Sequence, residues 1–125
     1  MAKILVVDDS AMSRRILRNI LESGGHEITE AEDGIVAIEK YFLDRPAVVF
    51  LDLIMKGMIG IEVLKKLRLL DPQARIIVAT ADIQTSTKTM TETEGAAAFV
   101  TKPFIREEIL KTVETVLEGS AHGAH

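Results

Sequence analysis

The chain has 125 residues, a net charge of −4 and no cysteine, a size that fits one ordinary domain. Such mild acidity argues against a nucleic-acid-binding surface, which needs a basic stripe, and the missing thiols exclude a disulfide framework and a thiolate metal site. "MAKILVVDD" has too short an apolar run for a signal peptide, and no run reaches the length of a membrane span, so a soluble, cytoplasmic single domain is expected.

The first element expected is a strand at Lys3–Asp8, apolar and partly β-branched, as suits burial on both faces. "SAMSRRILRNILESGG" follows as a helix. Ile16, Leu17, Ile20 and Leu21 recur at helical spacing, Ser10 helps start it and Gly24-Gly25 stops it. "HEITEA" is a short, half-polar strand that belongs near a sheet edge. Asp33-Gly34 turns the chain into a second helix, "IVAIEKYFL", which Pro46 closes. "AVVFLD", Ala47 to Asp52, is a second fully apolar strand ending on an aspartate.

A loop, "LIMKGM", precedes the helix "GIEVLKKLRLL", with Ile61, Leu64 and Leu67 on one face and Asp71-Pro72 as its stop. "RIIVAT", Arg75 to Thr80, and the shorter "AAAFVT", Ala96 to Thr101, are further strands. "IREEILKTVETVLE" is the last helix, with Ile109, Val113, Val116 and Leu117 as its buried stripe. "GSAHGAH", residues 119–125, reads as a disordered tail. His26, His122 and His125 are expected to be solvated.

One segment carries two conflicting signals. Gln84–Gly95 has threonine at 85, 87, 89, 91 and 93, and both the period of two and the β-branching favour a strand. Parallel strands, however, need a crossover. The alternation therefore predicts a helix of weak propensity whose only large apolar residue is Met90. The whole reads as (βα) five times over, a doubly wound parallel sheet covered on both faces with right-handed crossovers.

In an open parallel sheet, ligands bind at the carboxyl ends of the strands, where strand order reverses. Asp8 and Asp9 finish the first strand, Asp52 the third, Thr80 the fourth and Lys102 the fifth, so all five are expected to converge on one crevice. Crowded carboxylates repel unless a cation joins them. Mg²⁺ suits oxygen ligands and is commonly held by one or two carboxylates plus phosphate oxygens. Lys102 is a point-charge donor for a phosphoryl oxygen and Thr80 offers a hydroxyl. A carboxylate can itself act as nucleophile and form an acyl phosphate, with metal, ammonium and hydroxyl stabilising the transferred charge.

The set "VVDDS", "VVFLDLIM", "IIVATA" and "FVTKPF" resembles the receiver domain of bacterial response regulators, the CheY-like family, over about residues 3–118. The resemblance implies a flavodoxin-like fold with strand order 2-1-3-4-5 and a receiver domain at 1–118. Residue by residue, Asp52 matches the phosphoacceptor, which takes a phosphoryl group from a phosphohistidine on a histidine kinase or phosphotransfer protein. Asp9 matches the main acidic Mg²⁺ ligand, Asp8 helps hold the site, and the Ile54 backbone carbonyl matches the remaining protein ligand. Thr80 and Lys102 match the residues that bind phosphoryl oxygens, and Phe99 the aromatic switch. The Lys102-Pro103 bond is usually cis in the family. The doubled aspartate is then a metal shelf.

Two departures lie after the phosphoacceptor: Lys56 stands where proline is usual and Ile59 where an acidic residue is frequent. Ile54 occupies a position that is polar in many relatives. With Asp82 it is expected to tune how long the phosphoryl group lasts, Ile54 impeding water and Asp82 orienting it. The length leaves no room for a DNA-binding output domain, so the signal is expected to leave through a protein partner on the 84–118 face. Two rival readings remain. One is a small Mg²⁺-dependent aspartyl-phosphate phosphatase, against which the adjacent aspartates and short length count. The other is a phosphorylation-independent binding module of the same fold.

Overall fold

The computed structural model describes residues 1–55, 60–82 and 84–122, the last three by backbone alone. Lys56, Ile59 and His125 therefore lie outside the described residues. The elements alternate strictly: β1 (Lys3–Val7), α1 (Ala11–Ser23), β2 (Glu27–Ala31), α2 (Gly34–Asp44), β3 (Val48–Leu51), α3 (Gly60–Leu70), β4 (Ile76–Thr80), α4 (Thr85–Thr93), β5 (Ala98–Thr101) and α5 (Arg106–His122). The strands are parallel and lie in the order β2-β1-β3-β4-β5. This is the flavodoxin-like arrangement. Half-polar β2 lies at one edge and β5 at the other.

Strand periodicity splits the core into two layers. Leu5, Val7, Val49, Leu51, Ile76 and Val78 face α2 and α3, where Ala37, Tyr41, Val63, Leu64 and Leu67 meet them. Ile4, Val6, Val48, Phe50, Ile77 and Ala79 face α1 and α5, where Leu17, Leu21, Ile109, Val113 and Val116 meet them. Side chains buried on both faces explain why β1, β3 and β4 read as unbroken apolar runs. Ile16 departs from the expected stripe and is 44% exposed. Leu17 and Leu21 alone are buried on α1.

The threonine-rich segment is helical, as the crossover demands. Its hydroxyls fold back on their own helix, Thr91 Oγ1 donating to the Lys88 carbonyl and Thr93 Oγ1 to that of Thr89, both at 2.9 Å. α4 buries only Thr91, and Met90 is exposed. At the starts of α1 and α2, Ser10 Oγ accepts the Ser13 N–H and Asp33 Oδ1 accepts that of Val36. The stretch expected as a tail overlaps the end of α5, which runs to His122. Among the described residues, no helix is long and apolar enough to cross a membrane.

Candidate functional site

The site lies beyond the carboxyl ends of β1 and β3, neighbours in the middle of the sheet. The backbone ladder runs one residue past each strand. The Asp8 N–H donates to the Ala31 carbonyl at 3.1 Å and the Asp52 N–H to the Val7 carbonyl at 3.0 Å. Both aspartates are therefore held in strand register, with their carboxylates at the mouth. At the β5 end the Lys102 N–H donates to the Thr80 carbonyl at 3.0 Å, and the Lys102-Pro103 bond is cis.

The Lys102 ammonium reaches across and joins two carboxylates. Its Nζ donates to Asp8 Oδ2 at 2.8 Å and to Asp52 Oδ2 at 3.1 Å. The other oxygens are held by backbone: Asp8 Oδ1 accepts the Ser10 N–H at 2.9 Å, and Asp52 Oδ1 accepts the Ile54 N–H at 3.2 Å. Asp8 and Asp52 are buried and Asp9 is exposed. One carboxylate oxygen from each of the three lies within 4.8 Å of the others.

Burial raises the Asp8 carboxyl above its ordinary value, against the opposing pull of the Lys102 ammonium and the Ser10 N–H. Burial also works against the charge on Lys102, but its two carboxylate partners together outweigh it and the ammonium is held more tightly than usual. The donor set is all oxygen and strongly anionic, which fits a hard divalent cation such as Mg²⁺.

Thr80 ends β4, is fully buried, and accepts the Asp82 N–H on its Oγ1 at 3.3 Å. Asp82 in turn precedes α4, its carboxylate accepting the Gln84 N–H at 3.0 Å and the Thr87 hydroxyl at 2.8 Å. Both its oxygens are thus engaged in the turn that precedes α4. The Ile54 side chain is 67% exposed beside the site. Phe99 is set apart, packed against the α2/α3 core layer. It lines a cleft of about 780 Å³ together with Arg68, Arg75 and Lys111, which none of the three aspartates lines.

Two residues of the site were not singled out by the sequence. Gly60 opens α3 against the Asp52 end of β3. A Cβ there would lie 2.3 Å from the Asp52 carbonyl oxygen and 2.4 Å from Leu53 Cα, so only glycine fits. Arg14 donates to the Asp8 backbone carbonyl at 2.6 Å. The glycine opening "GIEVLKK" was the one available hint, and nothing in the sequence marked the arginine.

A doubly wound parallel sheet with an acidic cluster and a lysine at its carboxyl end defines a class of α/β domain with a cation-suited site at the strand ends. Comparison with known proteins narrows it: residues 4–114 match the family described as "Response regulator receiver domain", and the chain belongs to that family. It is 39% identical over 116 residues to the chemotaxis protein CheY of Bacillus subtilis (strain 168), covering 92% of this chain and 97% of that one. It is 33% identical over 115 residues to sporulation initiation phosphotransferase F of the same organism, covering 92% and 93%. The solved structure of Vibrio cholerae chemotaxis protein CheY4 superposes with a TM-score of 0.87 at 33% identity, covering 93% of this chain and 98% of that one. The chain is a receiver domain of the CheY-like kind.

Proposed function

We propose that the protein is a cytoplasmic phosphoacceptor switch in which Asp52 takes a phosphoryl group from a phosphohistidine on a histidine kinase or phosphotransfer protein. The observation that carries this reading is the Asp52 carboxylate, buried at the β3 end and bonded to Lys102 Nζ at 3.1 Å. An Asp52 oxygen attacks phosphorus, the new O–P bond forms as the P–N bond breaks, and the electron pair returns to the imidazole nitrogen, which takes up a proton. Lys102, already between Asp8 and Asp52, is in reach of the incoming phosphoryl oxygens and neutralises their charge. Thr80 supplies a hydroxyl once it leaves the Asp82 N–H.

Asp8, Asp9, Asp52 and the Ile54 carbonyl are the groups that would hold Mg²⁺. When bound, the ion neutralises the gathered charge of carboxylates and phosphoryl oxygens. Transfer of Thr80 toward the phosphoryl group frees the Asp82 turn, and α4, with a single buried side chain, is the element that gives. Phe99 and the 84–118 face then present a changed surface to an output protein.

The test is intact-protein mass after incubation with Mg²⁺ and acetyl phosphate. One added phosphoryl group in the parent and none in Asp52→Asn supports the reading. Equal adducts in both contradict it, and rapid turnover of small phosphate esters points to the phosphatase.

A further inference from the structure

We infer that Arg14 is a positioning residue for Asp9: it clamps the Asp8–Asp9 peptide group so that the exposed Asp9 carboxylate stays aimed at the acid cluster. The inference rests on the reading of Asp9 as a metal ligand.

Asp8 needs little help. Its N–H is bonded to Ala31, and its carboxylate to Ser10 and Lys102. Asp9 has no such burial. The peptide bond before it places the backbone from which that side chain departs, because the Asp8 carbonyl and the Asp9 N–H share one rigid plane. Arg14 Nη1 donates to that carbonyl at 2.6 Å.

The clamp is anchored behind. Arg14 Nε donates to Glu30 Oε1 at 2.9 Å, Arg18 Nη1 donates to Glu30 Oε2 at 2.5 Å, and Lys40 Nζ donates to the Glu30 carbonyl at 2.5 Å. Glu30 lies in β2, the strand already bonded along β1. The Arg14 side chain is only 15% exposed, so this geometry is enclosed. One planar guanidinium bridges carbonyl and carboxylate at once, which a lysine ammonium on a flexible stem does not reproduce.

The sign of the effect separates positioning from charge. A cation near the cluster repels a divalent ion, so Arg14 acting by charge alone would make Mg²⁺ bind more tightly in Arg14→Ala. Positioning gives the opposite result, a loss of about tenfold or more, the usual consequence of removing an outer partner of a metal site.

The experiment is a Mg²⁺ titration of the full chain followed by amide and carbonyl NMR, on the parent, Arg14→Ala, Arg14→Lys and Glu30→Gln. Arg14→Ala and Arg14→Lys should both bind at least about tenfold more weakly, and their Asp8 carbonyl and Asp9 amide resonances should shift before any metal is added. Glu30→Gln keeps an acceptor for Nε and should retain most of the affinity. Unchanged or tighter binding in Arg14→Ala, full recovery in Arg14→Lys, or an unmoved metal-free Asp9 resonance overturns the inference. Should Arg14→Ala fail to fold, Arg14→Lys decides. A parent that binds no Mg²⁺ refutes the metal reading itself, while the metal-free Asp9 resonance still judges the clamp.

Discussion

The Asp82 N–H donates to the Thr80 hydroxyl at 3.3 Å, which ties the end of β4 to the turn that starts α4. The Asp82 carboxylate completes the tie, held below the usual carboxylate range by the Gln84 N–H and then by the Thr87 hydroxyl. Asp82→Ala should therefore speed amide hydrogen exchange in the first turn of α4 and leave β1 and β3 unchanged. Exchange in α4 equal to the parent's would show that these bonds do not hold the start of the helix.

Lys102 is the counter-charge of two buried carboxylates. Lys102→Met leaves Asp8 and Asp52 facing each other without it, at a cost of about 3 kcal/mol at neutral pH in the absence of metal. Mg²⁺ should then raise the Tm of the variant more than that of the parent, since the ion takes over the missing charge. Thermal melts with and without Mg²⁺ check this, and equal shifts in both proteins would contradict it.

Gly60→Ala pushes a methyl group against the Asp52 carbonyl and Leu53 Cα, both backbone atoms that cannot swing aside. The expected loss is about 1–3 kcal/mol by denaturant unfolding. Because the chain that must shift carries Asp52, phosphorylation by acetyl phosphate should slow as well. A variant as stable and as reactive as the parent would mean that the contact relaxes freely.

The Tyr41 hydroxyl donates to Asp71 Oδ2 at 2.6 Å, fastening α2 to the end of α3. Tyr41→Phe should cost about 1 kcal/mol at pH 7. The Asp71 carboxyl is held below 3.8, first by that hydroxyl and then by the Gln73 N–H. A depressed carboxyl stabilises the fold above its unfolded value and loses that contribution as pH falls through the folded one. The difference between parent and variant should therefore shrink below pH 3.8. Burial first, and then Asp71, push the Tyr41 phenol above its ordinary value of 10.0. Its contribution is complete below pH 10 and is lost as pH rises through the folded value, a dependence that the variant lacks. Chemical melts across pH test both limbs.

The alternation of elements was legible because buried strands and amphipathic helices leave different periods, and the strand-end polar residues stood out against apolar runs. In α4 the periods conflicted: threonines at every second position favoured a strand, and the need for a crossover prevailed. The Arg14 contact was invisible for a physical reason. A side chain bonded to a backbone carbonyl six residues earlier leaves no periodic trace, and its Glu30 anchor lies sixteen residues away. Asp82 reads as a residue near the chemistry, and the partners of its carboxylate, the Gln84 N–H and the Thr87 hydroxyl, leave no trace in the sequence. Ile16 followed the helical spacing of α1, but Leu17 and Leu21 alone are buried there.

The most direct test is to reduce the acyl phosphate with borohydride after incubation with Mg²⁺ and acetyl phosphate, and to locate the modified residue by peptide mass. The account predicts homoserine at position 52 alone, dependent on both Mg²⁺ and phosphodonor. Homoserine at Asp8 or Asp9, or none while the parent carries a phosphoryl adduct, would contradict it.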